Sequence, residues 1–359
     1  MVNEIGRAPR VAVDTEADSL HHYYEKVCLI QLSIGAETYI VDPLASLEYD
    51  QFVNALSDKP LIFHGAEYDL RMLWASYKFR PRKELFDTML AAQLVEGEAR
   101  SLAKLVERYA GVVLNKQGRK SDWSHRPLTE KQLVYAGDDT RYLELIADEL
   151  RSELDRLGRV DWHREACRKM IKVTGKDKPE PDPERVWRIK GMKDLDRRHF
   201  AYVREIWHWR EHEAQQSDRP PFKVMGNNLI IDLALWASGR KRHPLREGPK
   251  LPRNCVGRRL ALLEKAIETA RKMPESDWPD FLRGGGNGPV EYGPELDQLR
   301  AACNELAERL GLEPSLVASR KQLEAISLVR PKTKKEFQKI GKLMDWQADL
   351  LVPIVKDIL

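Results

Sequence analysis

The sequence predicts an α/β protein: a mixed sheet flanked by helices in the front half, followed by a back half built of helices alone. Two observations carry this. Up to about residue 65, apolar runs of strand length recur between turn residues, and from Ala66 the apolar period lengthens to that of a helix. Strands followed by helices interleaved with a further strand imply a sheet with helices on its faces.

The stretches RVAVDTE (10–16), VCLIQLSI (27–34), TYIVDP (38–43) and LIFHG (61–65) read as strands, with GAE as a hairpin turn between the second and third and a short helix near 48–58. EYDLRMLWASY (67–77), FDTMLAAQLV (86–95) and SLAKLVERYA (101–110) carry apolar residues at helical spacing, and Ser101 is the expected N-cap of the last. TEKQLVYAGDDTRYLELIADEL (129–150) predicts one long helix. Thr129 and Gln132 give it a capping-box signature, and Leu133, Leu143, Leu145 and Ile146 help to build its apolar face. Tyr135 and Asp139, four residues apart, share one side of it.

Behind residue 170 the composition shifts. VTGKDKPEPDPERV (173–186) reads as a linker, and helices are expected over 194–216, 228–238 and 257–273. FLRGGGNGPVEYGP (281–294) is a second break, with three further helical stretches behind it. The expected organisation is a domain over 1–165, a linker over 166–190, a helical domain over 191–280, a Gly/Pro-rich linker over 281–293 and a second helical domain over 294–359.

The 359 residues are 42% hydrophobic and 32% charged, without an apolar run of membrane-spanning length or a basic-then-apolar leader, so a soluble, cytoplasmic protein is expected. Cys28, Cys167, Cys255 and Cys303 lie far apart, with no CxxC pair to suggest zinc or redox chemistry. The net charge of +4 divides into −6 over residues 1–150 and +10 over the remainder. Such asymmetry fits either a polyanionic partner held by the back half or a solvated charged surface.

VAVDTEADSL (11–20) sets Asp14, Glu16 and Asp18 on alternate positions. Alternate side chains of a strand share a face, so these carboxylates repel unless protons or cations relieve them. Asp18, where strand gives way to loop, is expected to turn to solvent. Asp14 and Glu16 at a strand end, Asp69 in the first turns of a helix, and Asp139 beside Tyr135 are acids placed at the ends of elements. Hard divalent cations take such oxygen ligands, and a pair of ions stabilises both oxygens of a phosphoryl transfer. Each acid alone fits an ordinary surface role; their order and spacing carry the signal.

D-T-E at 14–16, H-G-A-E-Y-D at 64–69 and Y-A-G-D-D at 135–139 resemble the three exonuclease motifs of the DEDD superfamily, in the subclass whose third motif is Tyr-x-x-x-Asp. The connecting words VCLIQLSIG, FDTMLAAQLV and DWSHRPLTEKQLVYAGDDTRYL are similar to those of ribonuclease D. WHWREHEAQQSDRPPFKVMGNNLIIDLA (207–234) resembles the helical module known as HRDC, and residues from about 294 to 359 resemble a second, more divergent copy.

The resemblance implies a ribonuclease-H-like exonuclease domain and two HRDC-type helical domains. It implies that Asp14, Glu16, Asp69 and Asp139 hold two Mg²⁺ or Mn²⁺ ions, with Tyr135 orienting the attacking water. The implied reaction is 3′-to-5′ hydrolysis of RNA to nucleoside 5′-monophosphates by a monomer, on structured RNAs such as tRNA precursors. A DNA exonuclease and an inactive RNA-binding protein are the alternatives. His64 and Gly65 end the fourth strand, where they either let a nucleotide approach or make a plain turn. Trp123 and Arg126 either contact RNA, by stacking and phosphate pairing, or serve the structure. Asp87 is expected to support or cap rather than to ligate. The basic stretches 239–253 and 330–339 are expected to hold the RNA backbone.

Overall fold

A computed structural model describes residues 1–45, 49–98, 100–115, 118, 121–177, 179–239, 244–281 and 292–358. Most of the expected Gly/Pro-rich linker, and residues 240–243 of the basic stretch 239–253, lie outside the described residues. The chain divides into two compact units. One comprises Met1–Ala17, Val27–Asp177 and Pro289–Leu359; the other comprises Asp18–Lys26 and Lys178–Gly288. No described helix is long and apolar enough to cross a membrane.

The first unit opens with helix α1 (Val2–Arg7), whose Ile5 is buried, and strand β1 (Val11–Ala17). β2 (Val27–Ile34) and β3 (Glu37–Val41) form a hairpin closed by Gly35, at φ +57°. Helix α2 (Asp50–Ser57) leads to β4 (Leu61–Phe63), α3 (Glu67–Tyr77) and β5 (Leu85–Asp87), and then to α4 (Thr88–Glu96) and α5 (Leu102–Ala110). The strand order is β3-β2-β1-β4-β5, with the first two neighbour pairs antiparallel and the last two parallel. Side-chain alternation sends Val11, Val13, Leu61 and Phe63 into one core, and Ala12 and Ile62 into another on the opposite face.

The expected long helix divides into α6 (Glu130–Arg141) and α7 (Leu143–Arg156). The capping box of Thr129 and Gln132 starts it, but no glycine or proline marks the break at Tyr142. Just before the break, the Thr140 hydroxyl is shared between Ser33 of β2, at 2.8 Å, and the Gly137 carbonyl, at 3.5 Å. A threonine that bonds back into its own helix bends it. Leu133 and Leu145, assigned by the sequence to the apolar face, are instead exposed, whereas Leu143 and Ile146 are buried. Helix α8 (Val160–Thr174) runs past residue 165, where the first domain was expected to end.

The second unit contains α9 (Arg197–Gln216), one-turn α10 (Pro221–Val224), α11 (Asn227–Ser238) and α12 (Arg258–Lys272). Trp187, Tyr202, Ile206, Ile230, Leu233 and Leu263 fill its core. Asp18 belongs to this unit and is fully buried, contrary to the solvent position expected of it. Its carboxylate accepts from the Lys26 N–H at 2.9 Å, and its carbonyl accepts from the His21 and His22 N–H groups, so it closes the loop over itself.

The last five helices return to the first unit: α13 (Pro294–Leu310), α14 (Pro314–Val317), α15 (Arg320–Val329), α16 (Lys334–Gly341) and α17 (Asp345–Ile358). They have a core of their own, centred on Leu299, Ile326 and Phe337. Trp346, however, joins the core of α4, α5 and α7 and stacks on Trp162, with ring centroids 4.5 Å apart. Gly97, at φ +82°, has room for no side chain, since a Cβ would lie 2.7 Å from the Gly311 carbonyl oxygen. Buried Arg159 donates to the carbonyls of Leu94 and Leu310, both at 2.5 Å.

Arg159→Ala would leave two interior carbonyls without donors, which costs about 2–4 kcal/mol. The expected outcome is a fall in Tm of roughly 5 °C or more with the helical signal intact below the transition, followed by circular dichroism. An unchanged Tm would show that this guanidinium does not tie the C-terminal helices to the sheet layers.

Candidate active site

Asp14 and Glu16 project from one face of β1 because they stand two residues apart in a strand. A register shift between Glu16 and Ala17 marks a bulge at this strand end, a common way of re-aiming side chains beside a site. Helix α6 lies on the same face, fixed to β2 by the Ser33–Thr140 bond, and brings in Asp139. The carboxylates of Asp14, Glu16 and Asp139 each offer an oxygen within 4.8 Å of the others. Among the described residues, this is the one group of three or more His, Cys, Asp or Glu side chains spaced to hold a metal ion.

Asp69, in the first turn of α3, stands beside this trio. Its Oδ1 accepts from the Thr15 hydroxyl at 2.6 Å and from the Thr15 N–H at 3.2 Å, so the middle residue of the D-T-E motif fixes the acid of the second motif. Burial, with the nearby charges of Asp69, Asp139 and Glu16, holds the Asp14 carboxyl well above the usual carboxylate range. Burial and the charges of Asp139 and Asp69 push Glu16 up to about 9. Asp69 rises to about 6, chiefly by burial, with its Thr15 bonds opposing the rise.

The donor set fits hard divalent cations, being carboxylate oxygens that repel one another without a positive charge. Gln31 adds a second sign. It is the cross-strand partner of Asp14, it is fully buried, and neither atom of its amide has a hydrogen-bond partner among the described residues. An orphaned buried amide beside an acidic cluster is what a site for an ion and its water looks like from the protein side.

Tyr135 lies one turn before Asp139 and hydrogen-bonds its carboxylate. Burial, followed by the charges of Asp139, Glu16 and Asp14, pushes the phenol further above its ordinary value. It therefore stays protonated and acts as a donor. Its ring lies 6.0 Å from that of Trp123, and Gly118 also lies against it, where a Cβ would come within 2.4 Å of the Tyr135 ring.

Comparison with known proteins bears on this arrangement. A family model described as a 3′-5′ exonuclease matches residues 1–155, and the HRDC domain model matches residues 199–237 and 296–356. A ribonuclease D from Pseudomonas paraeruginosa is 31% identical over 89% of this chain and 84% of its own length. One from Xanthomonas oryzae is 30% identical over 90% and 87%. The chain belongs to the ribonuclease D family. Among solved structures, a protein from Bifidobacterium adolescentis superposes with a TM-score of 0.83 at 24% identity, covering 99% of this chain and 93% of that one. Escherichia coli RNase D superposes with a TM-score of 0.69 at 22% identity, covering 100% and 95%. The fold is thus the ribonuclease-H-like mixed sheet of the exonucleases of this family, with HRDC-type helices behind it.

The remaining candidates are each engaged by partners of their own. Trp123 is 1% exposed and packs with Cys28, Leu29 and Ala136, so its ring is closed to a stacking base. Arg126 grips both carboxylate oxygens of Asp42 at 2.7 Å and donates to the carbonyls of Cys28, Trp123 and His125. Its guanidinium is spent on tying the loop before α6 to the β2–β3 hairpin. Gly65 adopts φ +76°, a turn conformation that a side chain resists, and donates to Asp87. The Thr88 hydroxyl donates to the Phe63 carbonyl at 3.1 Å and accepts from His64 Nδ1 at 2.9 Å. Burial lowers the His64 pKa, so the ring is neutral with its lone pair on Nε2. Asp87 receives four backbone N–H groups, from Gly65, Ala66, Met89 and Leu90, and so both caps α4 and holds the turn leading into α3.

Sequence reading missed Gln31, Thr15 and Gly118. Gln31 depends on the register of β1 against β2, which no local pattern reveals. Gly118 sits in NKQGRKSD, a run of sequence without apolar period, where only the approach of Tyr135 shows why a glycine is needed.

Two outcomes test this geometry. A carboxyl whose folded value exceeds its unfolded one keeps a proton that the unfolded chain releases, so raising the pH from 4.5 towards 9 favours unfolding of the metal-free protein through Glu16. Glu16→Gln should therefore raise the metal-free Tm at pH 8 by roughly 5 °C, leave it unchanged near pH 4, and shrink the stabilisation given by Mn²⁺; equal melts at pH 8 would refute the crowding. Gly118→Ala should displace the Tyr135 ring and lower kcat by roughly 10²-fold with Tm preserved, whereas full activity would show that the ring is not held from that side.

Proposed function

We propose that this chain is a metal-dependent exoribonuclease that removes nucleotides one at a time from RNA 3′ ends, releasing nucleoside 5′-monophosphates. The observation that carries the reading is the convergence of Asp14, Glu16 and Asp139 within 4.8 Å, with Asp69 and the protonated Tyr135 beside them. The relatives named ribonuclease D support RNA as the substrate class.

Asp14, Glu16, Asp69 and Asp139 would hold two divalent ions, Mg²⁺ or Mn²⁺. Such ions, when bound, supply charge stabilisation to the phosphoryl group and lower the pKa of a bound water. The protein's own part is positional. β1 holds two carboxylates at fixed spacing, Thr15 holds the third, and the Tyr135 hydroxyl, which donates to Asp139, keeps its oxygen lone pairs to accept from the attacking water and so orients it without acting as a base. His64 and Gly65 contribute the turn into α3, and Trp123 and Arg126 the platform beneath Tyr135, rather than contacts to bases.

The substrates we propose are structured RNAs with short single-stranded 3′ tails, tRNA precursors among them, processed in the cytoplasm by a monomer. The two helical segments matched by the HRDC model would hold the body of the RNA, as domains divided near residues 191–280 and 294–359. Of the basic stretch 330–339, Arg330 and Lys334 are already paired with Glu295 and Asp349, at 2.8 and 2.6 Å, which leaves Lys332, Lys335 and Lys339 for that role.

The direct test uses matched RNA and DNA oligonucleotides labelled at either end, with Mg²⁺ or with chelator. Shortening of 5′-labelled RNA in single-nucleotide steps, abolished by chelator, is expected, and preference for DNA would overturn the substrate class. Asp139→Asn should lower kcat by roughly 10³-fold with a metal-free Tm no lower than the parent's, and Tyr135→Phe should lower kcat by roughly 10²-fold with unchanged Tm. Unaltered turnover in Asp139→Asn would remove the assigned site.

A further inference from the structure

The nuclease unit carries a basic groove that the site above does not use. It has a volume of about 660 Å³ and lies between the loop after α3 and helix α8. Arg80, Arg82 and Lys83 stand on one wall, and Arg164, Arg168 and Lys172 on the other. Pro81, Leu85, Cys167 and Ile171 form much of an apolar floor, and Glu84 is the single acid lining it. Arg80, Arg82 and Lys83 come from residues 1–150, which carry a net charge of −6, while Arg164, Arg168 and Lys172 come from the basic remainder, so the groove gathers cations from both parts of the chain.

The charges are also available. Arg82 pairs with Asp58 at 3.2 Å, while Arg164 pairs with Asp161 and, at 3.8 Å, with Glu84. Arg80, Lys83, Arg168 and Lys172 are exposed and have no ion pair among the described residues. Arg164, Arg168 and Lys172 follow one another at four-residue steps, so they form a row along one face of α8, about 6 Å apart. A row of cations facing a second set across a groove suits a chain of phosphates better than a single small anion.

Position adds the last step. β5 runs parallel to β1, so Leu85 at its start lies at the end of the sheet away from Asp14 and Glu16. Helix α3 connects the two ends, with Asp69 in its first turn and the groove loop just beyond its last, a span of roughly 16 Å along the axis.

We propose that this groove is a second RNA-binding site, which holds the phosphodiester backbone of the substrate's body while its 3′ end lies among the carboxylates. The inference rests on the exoribonuclease reading and adds where a long substrate is held. A pentanucleotide with its 3′ end among the carboxylates uses up most of its length on the roughly 16 Å to the groove and cannot lay a run of phosphates along it; a hairpin with a 3′ tail fills both.

The test compares the full-length chain with the variant Arg80→Gln, Lys83→Gln, Arg168→Gln, Lys172→Gln. Binding of a fluorescent RNA hairpin is measured by anisotropy in chelator across a KCl series, and pentanucleotide hydrolysis is measured in Mg²⁺. Each lost phosphate contact should flatten the plot of log affinity against log salt by about 0.7–0.9. The variant should therefore lose roughly 3–3.5 in slope if all four residues meet phosphates, and at least about tenfold in hairpin affinity, with Tm and pentanucleotide kcat as in the parent. Unchanged hairpin slope and affinity would overturn the proposal. So would stabilisation of the parent, but not the variant, by millimolar inorganic phosphate with an unchanged RNA slope, since that marks a small-anion site. Failure of the parent to cut the pentanucleotide would instead strike the exoribonuclease reading, which the binding measurement does not depend on.

Discussion

The mutual repulsion of buried carboxylates at the end of β1 is the constraint on which the rest of the nuclease unit depends. Asp14 and Glu16 are set side by side by strand geometry, Asp139 is brought over them by α6, and Asp69 is held close by Thr15. Each of the first two has its proton affinity raised by burial and by the others' charges, so assembling the site works against folding unless a cation is present. The surrounding structure is arranged to keep groups together that would otherwise move apart. The Ser33–Thr140 bond fixes α6 to β2, and the four N–H donors on Asp87 fix the turn that launches α3. Neither contact touches the cluster, yet each sets where one of its acids lies.

The same logic explains why aromatic and cationic residues near the third motif turn inwards. A tyrosine that positions water must itself be positioned, and both Trp123 and Gly118 lie against Tyr135. Trp123 is carried by a loop that Arg126 clamps through Asp42 and three carbonyls. Residues that by type would suit RNA contact are used here to make one phenol rigid. Electrostatics agrees, since a proton held tightly on Tyr135 keeps it a donor whose direction is fixed by the Asp139 carboxylate.

Much of this was legible in the chain because the informative features are local. Two acids at strand spacing, an acid in the first turns of a helix, and a tyrosine four residues before an aspartate behind a capping box can all be read from short windows, and the four acids and Tyr135 do lie together. What could not be read depends on pairing between distant segments. Gln31 becomes meaningful only when β2 is registered on β1. Asp18 looked solvent-facing because it stands where the strand gives way to a loop, but the loop to Lys26 folds back and uses it as an acceptor. The break at Tyr142 has no breaker residue, because its neighbour Thr140 is drawn off by a serine more than a hundred residues away. Charge sums over halves of the chain likewise pointed to the back half for polyanion binding, whereas the groove between Arg80 and Lys172 joins residues from both sides of that division.

The two HRDC-type segments show how one helical pattern can serve different structural ends. The segment at 199–237 sits in a unit with a core of its own, where Trp187, Tyr202 and Leu233 are buried together and Glu213, 2% exposed, is met by Arg259 at 3.0 Å. The segment at 296–356 also has a core, but Trp346 leaves it to stack on Trp162, and Arg159 joins its Leu310 carbonyl to that of Leu94. A helical bundle that sends one large aromatic ring into its neighbour's core gives up part of its independence, because removing it would open a cavity in the neighbour. The C-terminal helices are therefore part of what keeps α4 and α7 in place. Through those helices they support the layer that packs against the catalytic face of the sheet, which makes them structural to the nuclease before any contact with RNA is considered.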